Sequence, residues 1–193
     1  MAANPTPILN PTPDLILQAA ERVVMRDGVL NLTLENVARE AKLSKGGLLY
    51  HYPSKDALIT GMVKRYLDGI EAKLEVNVQK EVPGKGAWIR AFLKTMIDGA
   101  SIAHDSGSNR AWYAAMVSAM LLNPSLLEPM RQKNLEWKAK FEEDANDLKM
   151  ATVARFAARG LWFTEVVGFS ALTDQERQDL ADEILKLVGE PAK

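Results

Sequence analysis

The chain has 193 residues, enough for one large or two small domains with a substantial core. Its hydrophobic share of 47% and charged share of 25% are those of an ordinary globular protein, and the absence of cysteine excludes disulfides, thiolate metal sites and a cysteine nucleophile. At a net charge of −1, any nucleic-acid binding must come from a local basic patch rather than from the molecule as a whole.

No apolar run reaches the roughly 18 to 20 residues that a membrane span needs. The first residues, MAANPTPILNPTPD, lack the basic region and apolar core of a secretory signal, so the expected location is the cytoplasm. Residues 1–13 carry Pro5, Pro7, Pro11 and Pro13 and are expected to form an arm without regular structure. The arm holds no lysine or arginine.

Asp14 is placed to cap a first helix whose apolar face is Ile16, Ala19, Ala20, Val23 and Val24, with Gly28 as its stop. Thr33 caps a second helix with Leu34, Val37, Ala38 and Ala41 turned inward. Ser44 caps a third, from Lys45 to about Tyr52, which Pro53 ends. Ser54 caps a fourth, with Asp56 in its first turn, running from Lys55 to about Lys80. Val82-Pro83-Gly84-Lys85-Gly86 breaks the chain.

A fifth helix follows from Ala87 to about Ala103, with Trp88, Phe92 and Met96 four residues apart. A sixth carries Trp112, Met116 and Met120 at the same spacing. A seventh bears Leu127, Met130, Asn134, Trp137 and Phe141 on one stripe. An eighth, about Leu148 to Gly168, is rich in small residues, and a ninth, about Asp174 to Val188, has a wide apolar band. No segment reads as a strand. The expected fold is all-α, about nine helices: a flexible arm (1–13), a three-helix helix-turn-helix domain (14–54), a connecting helix (55–82) and a helical domain for effector binding and dimerisation (83–193).

The chemistry lies in the stretch Thr33–Leu58. Two short helices joined by a tight turn can place the second in a DNA major groove. Between Ala41 and Lys55 stand three lysines, one histidine and no acid. Over Asp14–Lys55 as a whole, the basic residues are nearly matched by acids, so the positive charge is local. Ser44 and Lys45 begin the third helix, where free N–H groups favour a phosphate. Gly46 and Gly47 are poor helix formers, which points to a surface where bulk is unwelcome. Tyr50 and Tyr52 offer hydroxyls to phosphates, His51 can reach a phosphate or a base, and Lys55 opens the fourth helix near a flanking phosphate. The same residues are also compatible with a flexible Ser-Gly-Gly loop and a half-buried aromatic cluster, because helix–turn–helix geometry occurs in many helical proteins.

The run Thr33-Leu34-Glu35-Asn36-Val37-Ala38, then Ala41, then Leu43-Ser44-Lys45-Gly46-Gly47-Leu48-Leu49-Tyr50-His51-Tyr52-Pro53-Ser54-Lys55-Asp56-Ala57-Leu58 resembles the TetR/AcrR family of one-component transcriptional regulators. Tyr52 stands where the family pattern usually has phenylalanine. The resemblance implies a homodimer with a small DNA-binding domain and a larger effector-binding domain. It implies DNA contacts at Thr33, Ser44, Lys45, Gly46, Tyr50, His51 and Lys55. It also implies pairing through the last two helices (about 148–189) as a four-helix bundle. The small residues Ala151, Ala154, Ala157, Ala158 and Gly160 would permit close approach there, although the same stripe suits an intrachain contact.

All four tryptophans and all five phenylalanines lie beyond the helix-turn-helix. Trp88, Phe92, Met96, Trp112, Tyr113, Met116, Met120, Trp137 and Phe141 are therefore the candidates for an effector pocket suited to an apolar or aromatic molecule, and ordinary core is the alternative for each. Lys94, Asp98, His104, Arg110 and Asn134 are its polar candidates. Gly84-Lys85-Gly86 lacks the phosphate-loop pattern, two histidines without cysteine make a metal site unexpected, and no nucleophile motif is present. No cofactor and no enzymatic activity are expected. The competing reading is a helical small-molecule-binding protein or enzyme whose helix-turn-helix is structural; a third is an interaction module using the ninth helix.

Overall fold

The structure is a computed structural model that describes residues 13–105, 113, 117 and 123–189. Its described residues contain eight α-helices and no strand: α1 (Pro13–Asp27), α2 (Leu34–Glu40), α3 (Lys45–His51), α4 (Lys55–Lys80), α5 (Ala87–Asp105), α6 (Glu128–Asp144), α7 (Leu148–Val167) and α8 (Asp174–Lys186). Short 3-10 turns cover Val29–Asn31 and Pro124–Leu127. Of the helix expected around Trp112, Met116 and Met120, those three residues lie outside the described ones and only Tyr113 and Val117, both helical, are described; α6, α7 and α8 are therefore the seventh, eighth and ninth helices of the sequence reading. The chain divides into two compact units, Met1–Met62 and Val63–Lys193, with the division inside α4.

The first unit is built on α1. Ile16, Ala19, Ala20, Val23 and Val24 are buried as the periodicity requires. They pack with Leu32, Val37, Leu48, Leu58 and Met62 as the unit's core. One boundary differs from expectation. The helix begins at Pro13, with Asp14 inside its first turn and hydrogen-bonded to Gln18 (2.9 Å). Proline suits a first helical position because it has no N–H to leave unpaired, so it precedes the acid rather than following a cap. Gly28 ends the helix at φ 81°, ψ 163°, a conformation open to glycine and strained for any other residue.

Thr33 Oγ1 accepts from Asn36 N (3.1 Å), Ser44 Oγ from Gly47 N (3.1 Å) and Ser54 Oγ from Ala57 N (3.0 Å), so α2, α3 and α4 each begin on the expected cap. Between α2 and α3 the chain turns through Lys42, the only described non-glycine residue with positive φ (57°). Lys42 N donates to Arg39 O (3.2 Å) and Leu43 N to Ala38 O (2.8 Å), the paired bonds of a Schellman stop.

In the second unit α5 packs most closely against α7. Ala151, Ala154 and Ala158 are buried, whereas Gly160 is exposed. Most of the small-residue stripe is therefore consumed within the chain, and a dimer contact cannot rest on it. A different stripe on α7, Val153, Phe156, Phe163 and Val167, is exposed and recurs at spacings of three, seven and four. On α8, Ala181 and Ile184 are buried while Leu180 and Leu187 are exposed, so its apolar band does face two ways. Thr173 and Glu176 form a capping box that starts α8.

Candidate functional site

The geometry of α2, α3 and their turn decides what the first unit can touch. Leu48 is fully buried and anchors α3, while Tyr50, two residues on, is 85% exposed. A tyrosine so placed contributes little to packing. Its ring meets His51 edge to face at 5.0 Å, and His51 is half-buried at the end of α3. Gly46 is exposed, and a Cβ built on it would meet nothing within 4 Å. Nothing inside the protein therefore forbids bulk at Gly46. Gly47 is different, because its Cβ would press on Ser44 Oγ at 3.3 Å.

Thr33, Ser44 and Lys55 are all exposed, with the two hydroxyls already serving as caps. Lys45 is exposed but ion-paired with Glu35 of α2. That contact, across the turn and ten residues apart, was invisible in the sequence, where the stretch from Ala41 to Lys55 reads as free of acids. Lys45 in turn holds the Glu35 carboxyl below its ordinary value, chiefly through their hydrogen bond. Arg22 and Arg26 are tied to Glu40 at 2.8 Å each, and Arg26 also to Asp27. Lys42 stands out in the sequence only as charge. It holds a left-handed conformation costing a lysine about 1 kcal/mol, and its side chain is exposed at the turn.

Tyr52 departs from the expectation of a phosphate contact. Its ring packs beneath Gly61, its hydroxyl lies 3.5 Å from Pro13 O, and burial raises its pKa. It fills the packing role that a phenylalanine would.

A helix-turn-helix with an exposed tyrosine, an open glycine and three exposed lysines around the second helix has the surface that a nucleic-acid contact needs. The comparisons name it. Residues 16–62 match the model for bacterial regulatory proteins of the tetR family, and residues 86–189 match the tetracyclin repressor-like C-terminal domain. The chain belongs to the TetR family. It is thus a DNA-binding transcriptional regulator of the helix-turn-helix type.

The chain is 23% identical over 184 residues to the HTH-type transcriptional regulator UidR of Escherichia coli (strain K12), covering 90% of this chain and 86% of that one. It is 33% identical to the uncharacterized regulator YuxN of Bacillus subtilis (strain 168) over 54 residues, 28% of this chain and only 19% of that one. A transcriptional regulator from Rhodococcus sp. Rha1 superposes with a TM-score of 0.70 at 15% identity, covering 92% and 96% of the two chains. The multidrug binding protein EbrR, solved with malachite green, gives 0.63 at 17% identity, covering 93% and 98%. At these identities the structures speak for the fold.

In the second unit of this TetR-family protein, the expected effector residues fall into groups. Phe92 is stacked on Trp88 (5.4 Å), and edge-to-face contacts join Phe92 to Trp137 (5.2 Å) and to Phe141 (5.1 Å). Phe92, Met96, Trp137 and Phe141 are all buried. Trp88 and Trp137 also line a groove of about 550 Å³ with Leu74, Val78 and the carboxylates of Glu71, Glu75 and Glu136. Tyr113 belongs to another group, edge to face with Tyr66 (5.4 Å) and Trp162 (5.9 Å). Trp112, Met116 and Met120, with Arg110 among the polar candidates, lie outside the described residues. Tyr66, Trp162 and Arg159 were missed by sequence reading. Arg159 hydrogen-bonds Asn134 Oδ1 and lies 5.9 Å from the Trp137 ring centroid. Among the described residues no group of acids and histidines is arranged to hold a metal, and no helix is long and apolar enough to cross a membrane.

Proposed function

We propose that this protein is a cytoplasmic repressor that binds a palindromic operator as a dimer and responds to a small apolar or aromatic effector bound in the second unit. The observation that carries the DNA-reading role is Tyr50, 85% exposed on α3 beside Gly46, whose α-carbon faces open space. Thr33, Ser44, Lys45, Gly46, Tyr50, His51 and Lys55 are the proposed contacts, and Lys42 joins them. Each subunit's α3 enters a major groove, the two about 34 to 36 Å apart on one face of the duplex.

Dimerisation is supported by exposed apolar surface near the chain's end. Nine of the fifteen exposed large hydrophobic side chains among the described residues lie from Leu148 to Leu187. Such a concentration on a soluble helical unit marks an interaction face. The proposed interface is residues 148–189, with Val153, Phe156, Phe163 and Val167 at its centre in place of the alanines.

The effector reading draws on the aromatic side chains of the second unit and on the EbrR structure, in which a related fold holds malachite green. Because α4 belongs to both units, an effector that prefers one setting of α4 would change the spacing of the two reading heads.

The deciding experiment is selection of duplex DNA from a random pool with the purified protein. A palindrome with half-sites about one helical turn apart is expected. Binding should weaken steeply with salt, with a log–log slope of about −5 if three lysines per subunit meet phosphates. Recovery of no palindrome sinks the reading.

A further inference from the structure

We infer that the effector is an aromatic carboxylic acid, its carboxylate taken by Arg159 of α7 and its ring by Tyr66, Tyr113 and Trp162. The inference rests on the ligand-responsive reading above and gives the effector a charge.

The argument begins with how arginines are placed in the second unit. Arg90 is buried and donates to the buried carboxylate of Glu81 at 3.0 Å. Arg177 is buried and donates to Glu165 at 3.1 Å and Asp174 at 3.0 Å. Both of these guanidiniums have an anion within hydrogen-bond reach, as the cost of desolvating a charge demands. Arg159 breaks the pattern. It is partly withdrawn from water, and the one acceptor it reaches among the described residues is the neutral amide oxygen of Asn134. One turn earlier, Arg155 lies 5.3 Å from the Phe141 ring centroid and 5.4 Å from that of Phe156, with its Nε buried and unpartnered. No carboxylate hydrogen-bonds either arginine among the described residues.

Desolvation, reinforced by the like charge of Arg155 and opposed by Tyr66, brings the Arg159 pKa down to about 10. Among the described residues, then, no side chain neutralises this cation. A ligand anion would.

The surroundings limit which anion. Trp162 is three residues beyond Arg159, on the same side of α7, and carries the edge-to-face contact with Tyr113 that continues to Tyr66. Aromatic faces suit a flat, apolar body. A planar guanidinium fork matches a planar carboxylate. The groove beside Trp88 suits the same ligand less, because its three carboxylates, Glu71, Glu75 and Glu136, outnumber Lys140 and the Lys133 ammonium that pairs with Glu71 and Glu136.

The test uses the full chain and three probes with one ring system and three charges: 2-naphthoate, 2-naphthamide and 2-naphthylmethylamine. Binding is read by tryptophan fluorescence. The acid should bind at least tenfold more tightly than the amide, and the amine less tightly than either. In Arg159→Gln the preference for the acid should fall below threefold while the amide's affinity holds, which also shows that the variant is folded. Arg159→Lys should keep part of the preference. Without ligand, Arg159→Met should melt higher than the parent, because an uncompensated cation has been replaced by an apolar chain.

Equal binding of acid and amide overturns the inference, as does tighter binding of the amine, the behaviour expected of the acidic groove. Binding of none of the three at millimolar concentration, an acid preference that survives Arg159→Gln, or a lower melting temperature for Arg159→Met overturns it equally. The DNA selection is an independent readout. A palindrome without an acid preference sinks only this inference, and an acid preference without a palindrome sinks only the operator reading.

Discussion

Tyr52 and Gly61 are in direct register: a Cβ on Gly61 would sit 2.7 Å from Tyr52 Cε1 and 3.1 Å from Leu17 Cδ2. The glycine, in the second turn of α4, is what lets the aromatic ring after α3 lie flat on the unit that presents α3. Alanine there would gain about 1 kcal/mol in helix propensity, yet overpacking a fitted site costs about 1 to 3 kcal/mol. Gly61→Ala is therefore expected to destabilise the protein in urea unfolding, by up to about 2 kcal/mol. In a Tyr52→Leu background, which removes the ring atoms that clash, the same change should become neutral or stabilising. A Gly61→Ala cost that is the same in both backgrounds would show that the ring is not the obstacle.

Gly46 carries the opposite expectation. It is helical, exposed and clear of every neighbour, so Gly46→Ala should stabilise the free protein by about 1 kcal/mol. If the duplex approaches this face closely, operator affinity should fall at least tenfold in the same variant. Thermal unfolding and fluorescence anisotropy on the selected operator measure the two signs. Unchanged affinity would place Gly46 away from the DNA.

Glu35 holds Lys45 in an exposed ion pair that must open before the ammonium can meet a phosphate. Glu35→Gln leaves Lys45 free and is expected to raise operator affinity severalfold, with stability changed by less than about 0.5 kcal/mol, as for most exposed substitutions. Lys55→Ala, whose residue has no such ion pair among the described residues, should instead weaken binding and reduce the salt slope by about 2 for a dimer. A Glu35→Gln variant that binds no better would mean that Lys45 keeps its pair on DNA.

The sequence was legible where a signal is local. Thr33, Ser44 and Ser54 were readable as caps because each needs only a hydroxyl and an N–H three residues on. The turn at Lys42 was not, since left-handed stops favour glycine or asparagine and a lysine gives no sign of one. Periodicity identified apolar faces on α7 and α8 but could not say which neighbour each would meet. The alanines went to the chain's own interior, while Phe156 and Phe163 stayed outside. The Glu35–Lys45 pair and the setting of Arg159 depend on how helices are brought together, and no spacing along one helix encodes that.

Phe156 and Phe163 are 60% and 42% exposed, seven residues apart on α7, with Gly160 between them leaving open space above its backbone. If this stripe is the centre of the dimer interface, Phe163→Glu would bury an unpaired charge at the contact and should convert the protein to monomer in sedimentation equilibrium at micromolar concentration. Helix content should be unchanged, because the side chain faces outward. Operator binding should be lost with the dimer. A dimer that persists in Phe156→Glu and Phe163→Glu alike would place the interface elsewhere.

Glu81 closes the second unit's turn between α4 and α5, accepting Arg90 Nε at 3.0 Å and Lys94 Nζ at 2.5 Å while its side chain is only 4% exposed. Burial alone would raise its pKa, but the hydrogen bonds from Lys94 and Arg90 outweigh burial and hold it below the ordinary carboxylate value of 4.5. The sign follows from the direction of that shift. A carboxyl depressed in the folded state stabilises it above the unfolded pKa, and that stability is lost as pH falls through the folded pKa. The expected loss therefore begins below about pH 4.5 and grows toward acid. Glu81→Gln should cost about 2 to 4 kcal/mol at neutral pH, because Arg90 keeps its buried charge without the anion. Its stability should then fall less steeply between pH 4.5 and the acid limit than the parent's. Glu183→Gln, which breaks a pair exposed on both sides, should leave the neutral stability unchanged. Urea titrations of the three proteins across that pH range give the comparison, and parallel acid limbs for parent and Glu81→Gln would assign the acid sensitivity to other carboxylates.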